Sequence, residues 1–372
     1  MSELLSPTLI TVAMAAALIG ALAGVMGTFL VLRGQSLLGD VIAHASLPGV
    51  VAGFLISGGR GFLAVLAGAL VSGALAGLAV QGLRRGAGIK PDAALGVVLS
   101  LFFAAGVVLL SLAQLRPGSA GLTVFLFGQA ASVLRADLPA MALVVALVLA
   151  VLALFWKEFK LVAFDREAAR AQGLPVAALD AVLTVLFAVT IVLGLSLAGV
   201  VLMVAMLIAP AVAARQWVRG LAPMVGLAAG FGIFAGLSGA TVSALGPGVA
   251  TGPVMVLSAT ALAMLSVLLA PERGVLGRVL GQRRTRRALR GRQVLEALGG
   301  LGRDHGDPGF GPEQGMLRAY LGAGTTRVLA RLQREGLIRP AAATVPQGRT
   351  PRWELTEAGH ARLAALRAEG GR

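Results

Sequence analysis

The stretch RGQSLLGDVIAHASLPG, Arg33–Gly49, lies between two long apolar runs and holds the only Asp and the only His of the first 90 residues. If Asp40–His44 is helical, the two side chains stand one turn apart and share a face. An ionisable side chain at the centre of a bilayer costs roughly 2.5–3.5 kcal/mol on insertion scales. A chain this apolar keeps such a pair near the membrane only with a compensating contact. The plainer readings are local. Asp40 is then the N-cap of a helix that follows Gly39, and His44 is hydrogen-bonded to a neighbouring helix.

The rest of the chain says why lipid is the relevant solvent. Of 372 residues, 57% are hydrophobic and 13% charged, against about 25% charged in soluble domains; the mean hydropathy is +0.87. The 51 glycines suit closely packed membrane helices. The absence of cysteine excludes disulfides, thiolate metal sites and catalytic thiols. Apolar runs of spanning length occur near 9–32, 41–57, 61–82, 92–113, 137–155, 177–197, 199–215, 222–245 and 252–270. A span needs about 20 residues, so 41–57 and 199–215 are short and predict tilt, a break or fusion with a neighbour. A tenth run, Leu122–Ala131, is too short to cross and reads as re-entrant. Leu9–Leu32 is too long for a cleavable signal and lacks a basic start, so it reads as a retained span. The fold expected is an all-α polytopic membrane protein of about eight or nine transmembrane helices, because lipid leaves an open backbone unsatisfied.

Charge separates two regions. Of 32 Lys and Arg, 13 precede Pro271 and 19 follow it; of 17 Asp and Glu, 8 precede and 9 follow. The net charges are therefore +5 and +10. With the N-terminus outside, ten basic residues from Arg33 to Arg219 fall in one set of loops, against Arg60, Arg116 and Arg135 in the other. The first set, and with it the tail, belongs in the cytoplasm of a plasma or inner membrane. The expected organisation is a transmembrane domain (1–271), a basic juxtamembrane linker (272–290) and a cytoplasmic domain (291–372).

Between Phe164 and Pro175 the membrane pattern breaks. FDREAARAQGLP predicts a short helix over Arg166–Gln172, capped by Asp165 and ended by Gly173 and Pro175. It reads either as a solvated connector or as a docking helix for a motor subunit. Pro210, inside GVVLMVAMLIAPAVAAR, predicts a kink. Asp92 reads as an N-cap at the interface, and Asp180, one turn into its run, as a group at the interface facing protein. The basic run RTRRALRGR, Arg284–Arg292, suits anionic headgroups. Beyond it the pattern predicts helices near 291–300, 313–321 and 324–336, strands at Leu337–Ile338 and Arg352–Leu355, and a last helix over Glu357–Ala368. His305 with Asp304 and Asp307 has poor metal-site spacing and reads as loop. Lys90, Lys157 and Lys160, the only lysines, follow no Gly-rich phosphate loop, so energy for any pumping must come from a partner.

Taken in order, SLLGDVIAHASLPG, PDAALGVVLSLFFAAGVVLLSL, FLFGQA, VVLMVAMLIAPAVAAR and PGVATGPVMVL resemble the permease subunits of ABC transporters for manganese, zinc and iron, the ABC-3 type, over about residues 10–270. The resemblance implies a transport subunit, not an enzyme. It implies a homodimer of permeases, cytoplasmic ABC ATPase subunits, an extracellular metal-binding lipoprotein, and Mn2+, Zn2+ or Fe2+ as substrate with no resident cofactor. Asp40 and His44 match the family's GD-xxx-H pair, which lines the translocation path and touches the ion transiently. A carboxylate is a hard ligand and an imidazole a borderline one, so the pair suits any of these ions, with waters or the second protomer completing the shell. The helix at Asp165, Arg166, Glu167, Ala168, Ala169, Arg170 and Gly173 corresponds to the ATPase-contacting loop. The segment TTRVLARLQREGLIRP with GRTPRWELTEAGHARLAAL resembles a winged helix of metal-dependent repressors, a mark of fold and not of DNA binding. Two rivals stand beside this reading: a permease for a metal chelate such as a siderophore or corrinoid, and a membrane-tethered regulator whose tail binds DNA.

Overall fold

The computed structural model describes residues 7–58, 62–114, 134–245, 249–271, 274–304, 311–322, 324–341 and 351–370. The expected re-entrant run at Leu122–Ala131, FLFGQA, His305 and Asp307 lie outside them. The chain divides into two compact units, Met1–Val275 and Leu276–Arg372.

The first unit is helical among the described residues. Its elements are α1 (Pro7–Leu32), α2 (Ser36–Ala45), α3 (Leu47–Ile56), α4 (Phe62–Gly86), α5 (Pro91–Ala113), a 3-10 turn (Arg135–Asp137) and α6 (Leu138–Leu154). They continue with α7 (Trp156–Phe164), α8 (Arg166–Ala171), α9 (Val176–Ala198), α10 (Val200–Trp217), α11 (Leu221–Ala244) and α12 (Thr251–Leu269). Eight helical runs are long and apolar enough to cross a membrane. One is the composite Ser36–Ile56, so the short run at 41–57 gains its length by fusing with the residues before it. The other short run becomes α10, an apolar helix that continues through Pro210.

Burial sorts the spans. Within their most apolar stretches, α9 and the α2–α3 run are 67% buried and α1 is 61% buried, whereas α5 is 17% buried. Thus α1, α2–α3 and α9 are central, and α5 offers most of its apolar surface outward. The centre is close-packed by backbone approach. A Cβ built on Gly24 would collide with the Ala228 carbonyl, and one on Gly232 with that of Gly20, so α1 and α11 touch main chain to main chain. Lipid tails are as apolar as Leu, so helices in a bilayer gain little by hiding Leu from lipid and associate through such close contact.

In the second unit, α13 (Val275–Asp304) is a continuous 30-residue helix. From Val275 on, the segment expected as a linker at 272–290 is therefore helical. After it come α14 (Gln314–Leu321), α15 (Thr325–Arg334), β1 (Ile338–Pro340), β2 (Trp353–Leu355) and α16 (Glu357–Gly370). The strands pair antiparallel in the register Ile338↔Leu355, Arg339↔Glu354 and Pro340↔Trp353. Leu295 and Leu298 of α13, Leu317, Leu329 and Leu332, Ile338, Trp353 and Leu363 form its core. The Thr356 hydroxyl accepts from the Gly359 amide at 3.1 Å and donates to the Gly336 carbonyl at 2.6 Å, tying the start of α16 to the turn before β1. A Cβ on Gly359 would strike the Leu337 carbonyl, which explains the glycine in LTEAG.

Gly24→Val should force α1 and α11 apart. The expected outcome is a lower melting temperature of the detergent-solubilised protein and reduced membrane yield, with Gly226→Ala, at a glycine with open space around it, close to wild type.

Candidate functional site

The chain leaves α1 and re-enters a helix within three residues. The Gln35 amide still donates to Leu30 O at 3.0 Å, and the Leu38 amide to Gln35 O at 2.9 Å. Gln35 therefore holds the N-cap position of α2, and Asp40 is its fifth residue. The local reading of Asp40 as a cap is overturned, because the helix starts one turn before it. Leu38, Val41, Ile42, Ala43 and Ala45 are buried on the remaining faces of α2. α2 packs on α4, α5, α9 and α10.

Asp40 and His44 lie on one side of α2, with His44 Nε2 3.4 Å from Asp40 Oδ1. Their side chains keep 40% and 29% of their exposure, unusual on so buried a run. The His44 ring stands edge-on to Phe103 of α5, with ring centroids 5.7 Å apart and planes at 86°. The histidine is thus steered by an aromatic neighbour and its own carboxylate. Both groups can reach one cation across a single helical turn. No cluster of three or more His, Cys, Asp or Glu able to hold a metal occurs among the described residues.

The helix breaks just after the pair. Ser46 closes α2, its hydroxyl donating to Ala43 O at 2.6 Å, and Pro48 opens α3 without an amide to give. Ser72 of α4 supplies a donor at the break, its hydroxyl 2.6 Å from Ala45 O.

The second predicted element forms as α8. Asp165 Oδ1 accepts from the Glu167 amide at 3.0 Å and the Ala168 amide at 2.9 Å, so the carboxylate caps the helix. Gly173, at φ +79°, ends it. Ala169 is buried, while Glu167, Arg170 and Gly173 are exposed. The periodicity missed a preceding helix. α7 begins after a bend at Phe155 and buries Phe159 and Val162, with Trp156 edge-on to Phe29 of α1. Asp92 is not a cap either: Lys90 holds that position, and Asp92 sits in the first turn, where it suits the helix dipole.

Asp180, on α9, is 3% exposed and faces protein, as its position in the run suggests. Its partners were not legible in the sequence. Arg33 Nη2 donates to Asp180 Oδ1, Arg85 Nη2 lies 2.6 Å from Oδ2, and Arg166 Nη2 3.4 Å from Oδ1. The Gln81 amide donates to Asp180 O at 2.9 Å and to the Thr184 hydroxyl. Burial pushes the Arg33 guanidinium down to about 10, against the pull of Asp180 and with the neighbouring Arg166 adding to the fall. It therefore remains charged at neutral pH. Asp165→Ala should cost α8 about 1 kcal/mol of local stability, read as faster amide exchange at Glu167 and Ala168 with the spans unchanged.

Comparison with known proteins places this architecture. The model of the ABC 3 transport family matches residues 6–270. The manganese transport system membrane protein MntC of Bacillus subtilis is 41% identical over 283 residues, covering 76% of this chain and 65% of that protein. The zinc transport system membrane protein TroC of Treponema pallidum is 43% identical over 280 residues, covering 74% of this chain and 94% of that protein. The solved structure of PsaBC from Streptococcus pneumoniae in complex with Fab superposes with a TM-score of 0.66 at 32% identity, covering 76% of this chain and 98% of that one. With the family model matched over most of its length and relatives above 40% identity, the chain belongs to the ABC 3 transport family.

Proposed function

We propose that this chain is the permease subunit of an ATP-driven importer of divalent transition-metal ions. The observation that carries the reading is the Asp40–His44 pair. It is an acid and an imidazole 3.4 Å apart, held open on one side of a run that is otherwise central to the bundle. Relatives named for manganese and zinc transport support the substrate class.

In this reading an arriving ion replaces the Asp40–His44 contact, each side chain giving one ligand atom. Two protein ligands leave the shell to be completed by water or by the pair of a second permease copy across a dimer seam. An incomplete shell suits transport, because a site with all its ligands fixed would bind the ion too firmly to release it. The break between α2 and α3 lies one residue past Ala45, so the helix can tilt at Ser46 without unravelling the pair's own turn.

The capped helix α8, with Glu167 and Arg170 exposed, serves as the docking surface for a cytoplasmic ABC ATPase, and a metal-binding lipoprotein delivers the ion from outside. The excess of basic residues in the loops that hold Arg84, Arg85 and Arg166 supports a cytoplasmic placement for that face and for the tail. The order of the tail, three helices, a two-stranded hairpin and a last helix, supports a winged-helix-like domain. Arg331 pairs with Glu335 at 3.4 Å, and Val328, Leu329 and Leu332 turn one side of α15 into core, so the helix is built for packing.

Asp40→Ala and His44→Ala should each abolish uptake of Mn2+, Zn2+ and Fe2+ by cells lacking their own importers, with membrane expression unchanged. Normal uptake by both variants would remove the pair from the mechanism.

A further inference from the structure

We infer that Asp180 is a positioning residue that couples the movement of α8 to that of α2, through the arginines that converge on it. The inference rests on the reading of α8 as the ATPase-docking helix.

Four segments meet at this one carboxylate. Arg33 comes from the three-residue link between α1 and α2, seven positions before Asp40. Arg85 comes from the last turn of α4, Arg166 is the first residue of α8, and Asp180 itself lies near the start of α9. The arms of the cluster are unequal. Arg33 and Asp180 are both almost fully enclosed, with side chains 3% and 5% exposed. The same stretch of α9 is pinned to α4 twice, through Arg85 on the carboxylate and Gln81 on the Asp180 carbonyl. The joint of α4, α9 and the head of α2 is therefore tight. Arg85 and Arg166 both reach in from part-exposed side chains, 43% and 37%, but Arg85 closes to 2.6 Å whereas Arg166 stands off at 3.4 Å. Arg166 is the long arm of the cluster, and the one that can lengthen or shorten as α8 moves.

The electrostatics give that arm leverage. Three guanidinium groups share one carboxylate, and the Nε and Nη1 of Arg33 are buried with no hydrogen-bond partner among the described residues. A buried ion pair is sensitive to how completely each charge is matched. When Arg166 draws closer, it competes with Arg33 for the same oxygen, Oδ1. When it withdraws, Arg33 holds that oxygen alone. A shift at the docking helix is thus felt as a change in the grip on the residue that leads into α2. Spatial convergence is not coupling by itself, so the test measures coupling directly.

The experiment uses the permease reconstituted in liposomes with its ATPase and binding-protein partners, and reads Mn2+ ions moved per ATP hydrolysed. Arg166→Gln, which leaves Arg33 and Arg85 on Asp180, should lower that ratio at least about threefold with assembly unchanged. Asp180→Asn should lower it as well, and the double variant should fall no further than Asp180→Asn alone. If the Asn variant does not assemble, Asp180→Glu takes its place in the cycle, since it keeps the charge and shifts its position. A wild-type ratio in Arg166→Gln overturns the inference. So do effects of the two substitutions that multiply, because Arg166 would then act on the ATPase directly. Failure of the wild-type complex to move Mn2+, Zn2+ or Fe2+ at all would instead sink the importer reading.

Discussion

A bilayer offers no water to an ionised side chain, and this constraint shapes what the first unit does with its few charges. The chain has 8 acidic residues before Pro271, and two of those on its helices, Asp180 and Asp40, are treated in opposite ways. The Asp180 carboxylate is enclosed and answered by three arginines, while its backbone carbonyl takes an amide from Gln81. Asp40 is left part-exposed, with His44 its one titratable partner among the described residues. A fully answered carboxylate is structural glue or a mechanical joint. A half-answered one is available to a cation. The difference between the two environments, more than either residue type, separates the proposed coupling joint from the proposed ion path.

The same scarcity of water explains the glycines. A soluble core is held by the removal of apolar area from water, but a membrane core must be held by fit. The approach of α1 to α11 at Gly24 and Gly232 is such a fit, and it places α1 where it can carry Arg33 to Asp180 at its end. Ser72 and the break at Pro48 follow the same logic: a carbonyl at an interrupted helix takes a hydroxyl from the neighbouring helix, because nothing else within the bilayer can supply it. The second unit is built around an amphipathic helix instead. α15 has buried Val328, Leu329 and Leu332 on one side and arginines on the other, and a two-stranded hairpin closes the core.

Much of this was legible in the sequence, for a local reason. Apolar length, the four-residue spacing of Asp40 and His44, the cap at Asp165 and the glycine stop at Gly173 are each written within a few consecutive residues. So was the alternation of helix and strand in the tail. These features depend on periodicity and on backbone preference, which neighbouring residues alone supply. What failed locally failed at boundaries: Asp92, and Asp40 on its plainer reading, were expected as caps, yet each helix begins before them, at Pro91 and Ser36. An acid near a helix start suits the first turn as well as the cap, and propensity does not separate the two.

The tertiary structure alone decided which spans are central and which are peripheral, since nine similarly apolar runs carry no label for neighbours. It alone decided the partners of Asp180, one of which is 147 positions away in the chain. Arg33, Arg85 and Arg166 read in the sequence only as loop charges that favour one side of a membrane. That they converge on one carboxylate is a matter of distance in space, and no spacing along the chain encodes it. The sequence by itself determined what can cross a bilayer and which side chains could bind an ion; packing determined which of its charges are silenced and which are left free to act.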